Sequence, residues 1–134
     1  MASSQILTRF CLWGNAIVFL AVGISFALFP TEMAAIVDIE APSAAAKTDI
    51  RAVYGGLHLG LGIFFSVCTT YPRQAITGLR LGAVLLAAMA ITRFAGIVLD
   101  GAQPTLTYQL WAMELLGATG CLLALRQHAR ARQP

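Results

Sequence analysis

The chain has 134 residues, the length of one domain, with 58% apolar residues, 11% charged residues and a formal net charge of +3. A typical soluble domain is roughly 25% charged, so this balance, with a mean hydropathy of +0.76, argues against a soluble core and for the bilayer. The positive balance is no nucleic-acid signal, because Arg9, Arg126, Arg130 and Arg132 sit near the termini, as cytoplasmic flanks of membrane proteins do.

Four apolar runs approach the length of a membrane-spanning helix. The first covers about residues 9–29 and is stopped by Pro30. It is too long for a signal-peptide core and no small-residue cleavage site follows it, so it reads as a transmembrane helix. Asn15 is its only strongly polar interior residue, and Cys11, Phe19, Val22 and Phe26 share its face. An interhelical hydrogen bond is the expected role for Asn15.

The segment from Pro30 to Thr48 is acidic through Glu32, Asp38 and Glu40. Met33, Ile36 and Val37 are spaced for a short interfacial helix over residues 31–39, broken by Ala41, Pro42 and Ser43. Thr48 is the expected N-cap of the second long helix, with Asp49 in its first turn, where a carboxylate suits the helix dipole. This helix spans about residues 49–71 and Pro72 ends it. At about 100° per residue, Arg51, Tyr54, Gly55, His58 and Gly62 form one stripe. Gly56 and Gly60 make a small-xxx-small pair on another face, suited to a neighbouring helix.

The third helix covers about residues 75–99, with Gly82, Leu86, Met89, Arg93, Gly96 and Asp100 on one stripe. Gly101, Ala102, Gln103 and Pro104 make the turn. The fourth helix covers about residues 106–125, with Leu110, Trp111, Glu114, Ala118 and Cys121 along one side. The basic tail from Arg126 is expected to fray. No internal repeat suggests an inverted-repeat transporter. The expected fold is an all-α integral-membrane four-helix bundle in a single domain, residues 1–134. Arg73, Arg80 and the basic termini place the termini and the second loop in the cytoplasm, and the acidic first loop agrees.

Cys11, Cys68 and Cys121 have no Cys-x-x-Cys spacing and read as small hydrophobes in helix packing. A disulfide-generating relay would want paired cysteines near the outer face. The polar residues are more informative. An intramembrane charge costs about 3 kcal/mol at a helix centre, so such groups face inward and pair. Arg93 lies roughly 10 Å below Asp100 and Glu114 roughly 12 Å below Leu106 at the helical rise per residue. Their common depth predicts an Arg93–Glu114 ion pair. Tyr54 and His58 lie one and two turns deeper than Arg51.

These placements define a candidate ligand-binding set of Arg51, Tyr54, His58, Arg93 and Glu114. Asp49, Asp100 and Asn15 form an accompanying structural polar network. Gly55, Gly56, Gly60 and Gly82 are the expected helix-packing positions, with Gly78 on the same packing faces. Two arginines against few acids leave capacity for an anion. The competing reading is a sealed network that only sets helix register. His58 alone reads as a hydrogen-bonded packing residue. His58, Glu114 and Asp49 lack metal-ligand spacing and the arginines oppose a cation, so no metal is expected.

At Arg51–Ala52–Val53–Tyr54–Gly55–Gly56 the chain resembles an uncharacterised bacterial family of four-helix membrane proteins, the domain of unknown function numbered 4345. The resemblance continues through Leu57–His58–Leu59–Gly60–Leu61–Gly62 and takes in Arg93 with Asp100–Gly101. It implies the four-helix architecture and matching positions at Arg51, Tyr54, Gly55, Gly56, Arg93 and Asp100, and implies no catalytic residue. A looser architectural similarity to DoxX-like proteins adds no functional residue.

The leading functional expectation is a non-enzymatic protein of the bacterial inner membrane. It would hold a lipid, quinone or other lipophilic molecule with a polar or anionic head in an outer-leaflet pocket. Arg51 and Arg93 would meet the head, Tyr54 and His58 would supply hydrogen bonds, and Glu114 would orient Arg93. An accessory or assembly subunit of a larger membrane complex, or a homo-oligomer, suits the glycine-rich faces equally. A small proton-coupled exporter fits less well. The small multidrug transporters use a carboxylate in the first helix, and this first helix has none. No nucleophile–base pair, phosphate loop or intramembrane histidine pair suggests an enzyme or a cofactor.

Overall fold

The computed structural model describes residues 2–101 and 103–130, with side chains from Gln5 onward. Ala102 of the expected turn, and Arg132 with the end of the basic tail, lie outside the described residues. Every described element is helical. Helix α1 is Ala2–Leu28, α2 is Pro30–Ile36 and α3 is Ala44–Ile50. Without a break, α3 passes through a π-helical segment, Arg51–Gly56, into α4, Leu57–Thr70. A 3-10 turn, Pro72–Gln74, leads into α5, Ala75–Asp100, and α6 is Thr105–Arg130.

Among the described residues, four helical stretches are long and apolar enough to cross a membrane: Gln5–Leu28, Ala44–Thr70, Pro72–Asp100 and Thr105–Arg130. Their outward side chains agree with that reading. Phe10 is 75%, Leu99 81% and Leu116 74% exposed, which water penalises and lipid tails do not. The chain is all-α, with the make-up of a membrane protein.

The second long helix starts at Ala44, not Asp49, and its cap is Ser43, not Thr48. Ser43 Oγ accepts from the Ala46 amide at 3.1 Å. Thr48 sits inside the helix and donates its hydroxyl to the Ala44 carbonyl at 3.0 Å. Ala44–Ala45–Ala46 is the strongest helix-forming run available, and serine caps better than threonine. Ser43→Ala is therefore expected to cost about 1 kcal/mol of local stability. Faster amide hydrogen exchange across α3 would show it; unchanged exchange would count against the cap.

The short helix after Pro30 stops at Ile36, earlier than the expected residue 39. Pro30 occupies its first position, where a missing N–H costs nothing. Asp38, with φ of 56°, takes the left-handed conformation that ends it. The Asp38 and Ile39 amides then donate back to Ala35 and Ala34 at 3.2 and 2.9 Å. At the other end of the chain, α6 runs past Leu125 to Arg130 where fraying was expected. A hydrogen bond of 2.9 Å between Thr8 Oγ1 and His128 Nε2 ties its last turns to α1.

The chain divides into two compact units. One is Trp13–Val67; the other joins the residues up to Leu12 with those from Cys68 onward. In the first, α1 and α4 run antiparallel with backbones nearly touching. A Cβ added at Gly23 would lie 2.6 Å from the Leu59 nitrogen, and one at Gly62 would lie 2.7 Å from the Leu20 nitrogen. Phe26, Ala34 and Ile50 form a buried cluster under Val22, Met33, Ile39 and Ala41, which fastens α2 and α3 to α1.

In the second unit α5 and α6 run antiparallel. Phe94 stacks on Trp111 with centroids 5.6 Å apart, and a Cβ at Gly117 would come within 2.6 Å of the Leu86 side chain. Leu79, Ala83, Ala90, Ala118 and Ala124 are buried, as are Gly78 and Gly82. Small residues of this kind let membrane helices approach closely.

Candidate functional site

The site begins with the π-helical segment Arg51–Gly56. The Leu57 amide bonds to the Ala52 carbonyl, five residues back, so this turn holds one residue more than an α-turn. Such single wide turns recur at functional sites because they re-aim side chains within an otherwise regular helix. Here the widened turn carries Arg51 and Tyr54, and His58 follows one turn later.

All three meet α1. Arg51 is exposed, and its Nε donates to the Ala27 carbonyl at 3.2 Å. Ala27 lies in the last turn of α1, where carbonyls lack helical partners and a positive charge suits the dipole. Among the described residues Arg51 has no carboxylate partner.

Beyond it lies a ladder of near-parallel rings. Tyr54 stacks on Phe26 at 5.2 Å and 24° and faces His58 at 6.5 Å and 16°. His58 lies 5.5 Å from Phe19, at 33°, and Phe19 stacks on Phe65 at 5.6 Å. Offset pairs at these separations contribute about 0.5–1.5 kcal/mol each beyond area burial. Tyr54 remains 36% exposed. The buried Nδ1 of His58 makes no well-formed hydrogen bond among the described residues, although the Tyr54 carbonyl lies within electrostatic reach. Gly55 leaves room for this approach: a Cβ there would lie 3.0 Å from the Ala27 nitrogen.

The other unit holds the ion pair expected from helical depth. Arg93 Nη2 donates to Glu114 Oε1 at 2.6 Å, and Nε reaches both carboxylate oxygens at 3.0 and 3.1 Å. The side chains are 27% and 7% exposed. This two-pronged arrangement is the strong form of an arginine–carboxylate contact.

The profile of a domain of unknown function, DUF4345, matches residues 7–125. The chain belongs to the DUF4345 family. No curated protein and no solved structure is significantly similar to it. The stretch matched to DUF4345 contains the whole ladder and the ion pair, and the family description attaches no activity to either.

The remaining expected residues of this DUF4345 chain fall elsewhere. Asp49 is exposed on α3, and Asp100 is exposed at the end of α5, where Gly101 with φ of 85° stops the helix. Asn15 is buried at 9% exposure and engaged with a neighbouring group. Gly56 and Gly60 meet no helix of their own unit: among the described residues a Cβ at Gly60 would meet nothing within 4 Å, and one at Gly56 only the Arg51 carbonyl at 3.9 Å. Among the described residues no group of three or more His, Cys, Asp or Glu side chains is placed to hold a metal ion.

Phe19, Phe26 and Ala27 as partners of the stripe were not singled out from sequence, although Phe19 and Phe26 already shared one face of the first helix. Thr8–His128 was missed because His128 was assigned to the tail.

Proposed function

We propose that this protein is a non-enzymatic component of the bacterial inner membrane. In this reading its termini are cytoplasmic, and it holds a lipophilic molecule by a polar or anionic head at Arg51, Tyr54 and His58. The observation that supports this reading is Arg51, a cation at the head of the ring ladder without a carboxylate partner among the described residues. Its Nε is committed to Ala27, which orients the guanidinium and leaves both Nη groups as donors. An anionic oxygen or a quinone carbonyl would meet them, while Tyr54 offers a ring face and a hydroxyl beside it.

Arg93 and Glu114 leave the proposed binding set. Two of the three guanidinium nitrogens already serve the carboxylate, so the pair is assigned to holding α5 against α6. Asp49 stays outside it, as an exposed carboxylate that would repel an anionic head.

The test is native mass spectrometry of the protein released from lipid nanodiscs. Wild type is expected to carry an adduct of one defined mass, which separates a phospholipid from a quinone. Losing a charge-assisted hydrogen bond is worth about 1.5–3 kcal/mol, so Arg51→Gln should weaken binding roughly 10- to 150-fold and lower the adduct accordingly. Equal occupancy in a variant with wild-type helix content would sink the proposal. A second reading, an accessory subunit of a larger complex, draws on the open Gly56–Gly60 face. A foreign subunit in the same spectrum, with no small-molecule adduct, would favour it.

A further inference from the structure

We propose that Cys11 and Cys121 form an oxidisable dithiol which a hydroperoxide converts into a disulfide joining α1 to α6. The two side chains are hydrogen-bonded to each other. The neighbouring position is glycine: a Cβ at Gly120 would lie 3.2 Å from Cys11 Sγ, so the absent side chain is what lets the α1 thiol settle against α6. The Thr8–His128 hydrogen bond holds the same helix pair in register one turn earlier along α1. Two thiols within hydrogen-bonding reach of each other, on helices tied together beside them, are the starting arrangement a disulfide requires.

Exposure sets the order of events. Cys11 is 9% exposed and Cys121 is 0%, so Cys11 is the residue of the two that a small uncharged oxidant meets first. With hydrogen peroxide as the hydroperoxide, the Cys11 sulfur attacks one oxygen and the O–O bond breaks. Cys11 becomes a sulfenic acid and one water leaves. The Cys121 sulfur then attacks Cys11 and expels the second water as the S–S bond forms. Two thiols and one peroxide thus give one disulfide and two waters, with two electrons passing to the peroxide. Thiol–disulfide exchange with a reductant reverses the step.

Cys68 is the internal control. It is buried at 1% exposure but is engaged with Gly78 on α5. A Cβ built on Gly78 would lie 3.0 Å from its sulfur. Its own engagement is with Gly78, which makes it the buried thiol expected to stay reduced, although it belongs to the same unit.

The test treats the full chain in lipid nanodiscs with hydrogen peroxide, traps remaining thiols with a maleimide after denaturation, and maps peptides without reduction. The expected result is a peptide pair linked through Cys11 and Cys121, with both thiols lost together and Cys68 still alkylated. Cys68→Ser should keep the linkage and Cys121→Ser should abolish it, leaving Cys11 as sulfenic or sulfinic acid. Three results overturn the proposal: both thiols recovered as maleimide adducts, Cys11 over-oxidised in wild type without a crosslink, or Cys68 as the partner. The wild-type map decides the matter even where a serine variant fails to fold.

Discussion

Glu114→Ala is expected to destabilise the protein by about 3 kcal/mol, the lower part of the range for breaking a buried ion pair. Removing the carboxylate leaves the Arg93 guanidinium in an apolar helix interface without the two-pronged contact it makes now. Arg93 keeps 27% exposure, so it can turn partly toward the surface, which is why the upper part of the range is not expected. Replacing both residues together, Arg93→Met with Glu114→Leu, should restore stability to within about 1 kcal/mol of wild type, since apolar groups of similar size fill the space without a stranded charge. Equilibrium unfolding in detergent of both single variants and the double variant gives the coupling energy directly. A coupling near zero would mean that the pair does not hold α5 to α6.

Gly23→Leu is the second substitution with a large expected effect. Its Cβ would sit 2.6 Å from the Leu59 backbone nitrogen and 2.9 Å from the Leu59 Cγ. A side chain could turn away from that clash; a helix backbone cannot. The α1–α4 contact must open, and overpacking of this kind costs about 1–3 kcal/mol. Opening at Gly23 also loosens the neighbouring contacts of Gly55 with Ala27 and of Gly62 with Leu20. Gly60→Leu is the matched control, because nothing lies within 4 Å of its would-be Cβ, and its effect should stay within about 0.5 kcal/mol. The same unfolding measurement compares them. Equal destabilisation would mean that the α1–α4 contact is not where these distances put it. A Gly60→Leu chain that folds normally but loses a partner in native membranes would support the subunit reading.

The two substitutions also mark how far the sequence could be read. Arg93 and Glu114 were legible as a pair because a buried charge must be compensated, and the rise of a helix converts residue counts into depth. The stripe of Arg51, Tyr54, Gly55, His58 and Gly62 was legible from helical periodicity, and these residues do share the side that meets α1. The glycine faces were not. Gly56–Gly60 has the spacing of a packing motif yet meets no helix of its own unit among the described residues, while Gly23, which no motif marked, approaches the Leu59 backbone closely. Spacing along one helix says that a close approach is allowed, and only the opposite helix says where it happens. The π-helical turn escaped for a related reason. Nothing local in Arg-Ala-Val-Tyr-Gly-Gly marks a π turn, and the turn lies where Arg51 and Gly55 approach Ala27, a residue of another helix.

The amino-acid sequence by itself determined that this chain is helical throughout its long apolar runs, that those runs suit a membrane, and that its buried carboxylate would seek an arginine. Each follows from local quantities: hydropathy over a window, periodicity along one helix, and the penalty for an isolated charge. Tertiary structure decided the ring ladder on Phe19 and Phe26, the capping of α1 by Arg51, the Thr8–His128 tie and the meeting of Cys11 with Cys121. Each of these joins residues far apart in the chain. Their contact energies depend on which helix faces which, and no local pattern contains that choice.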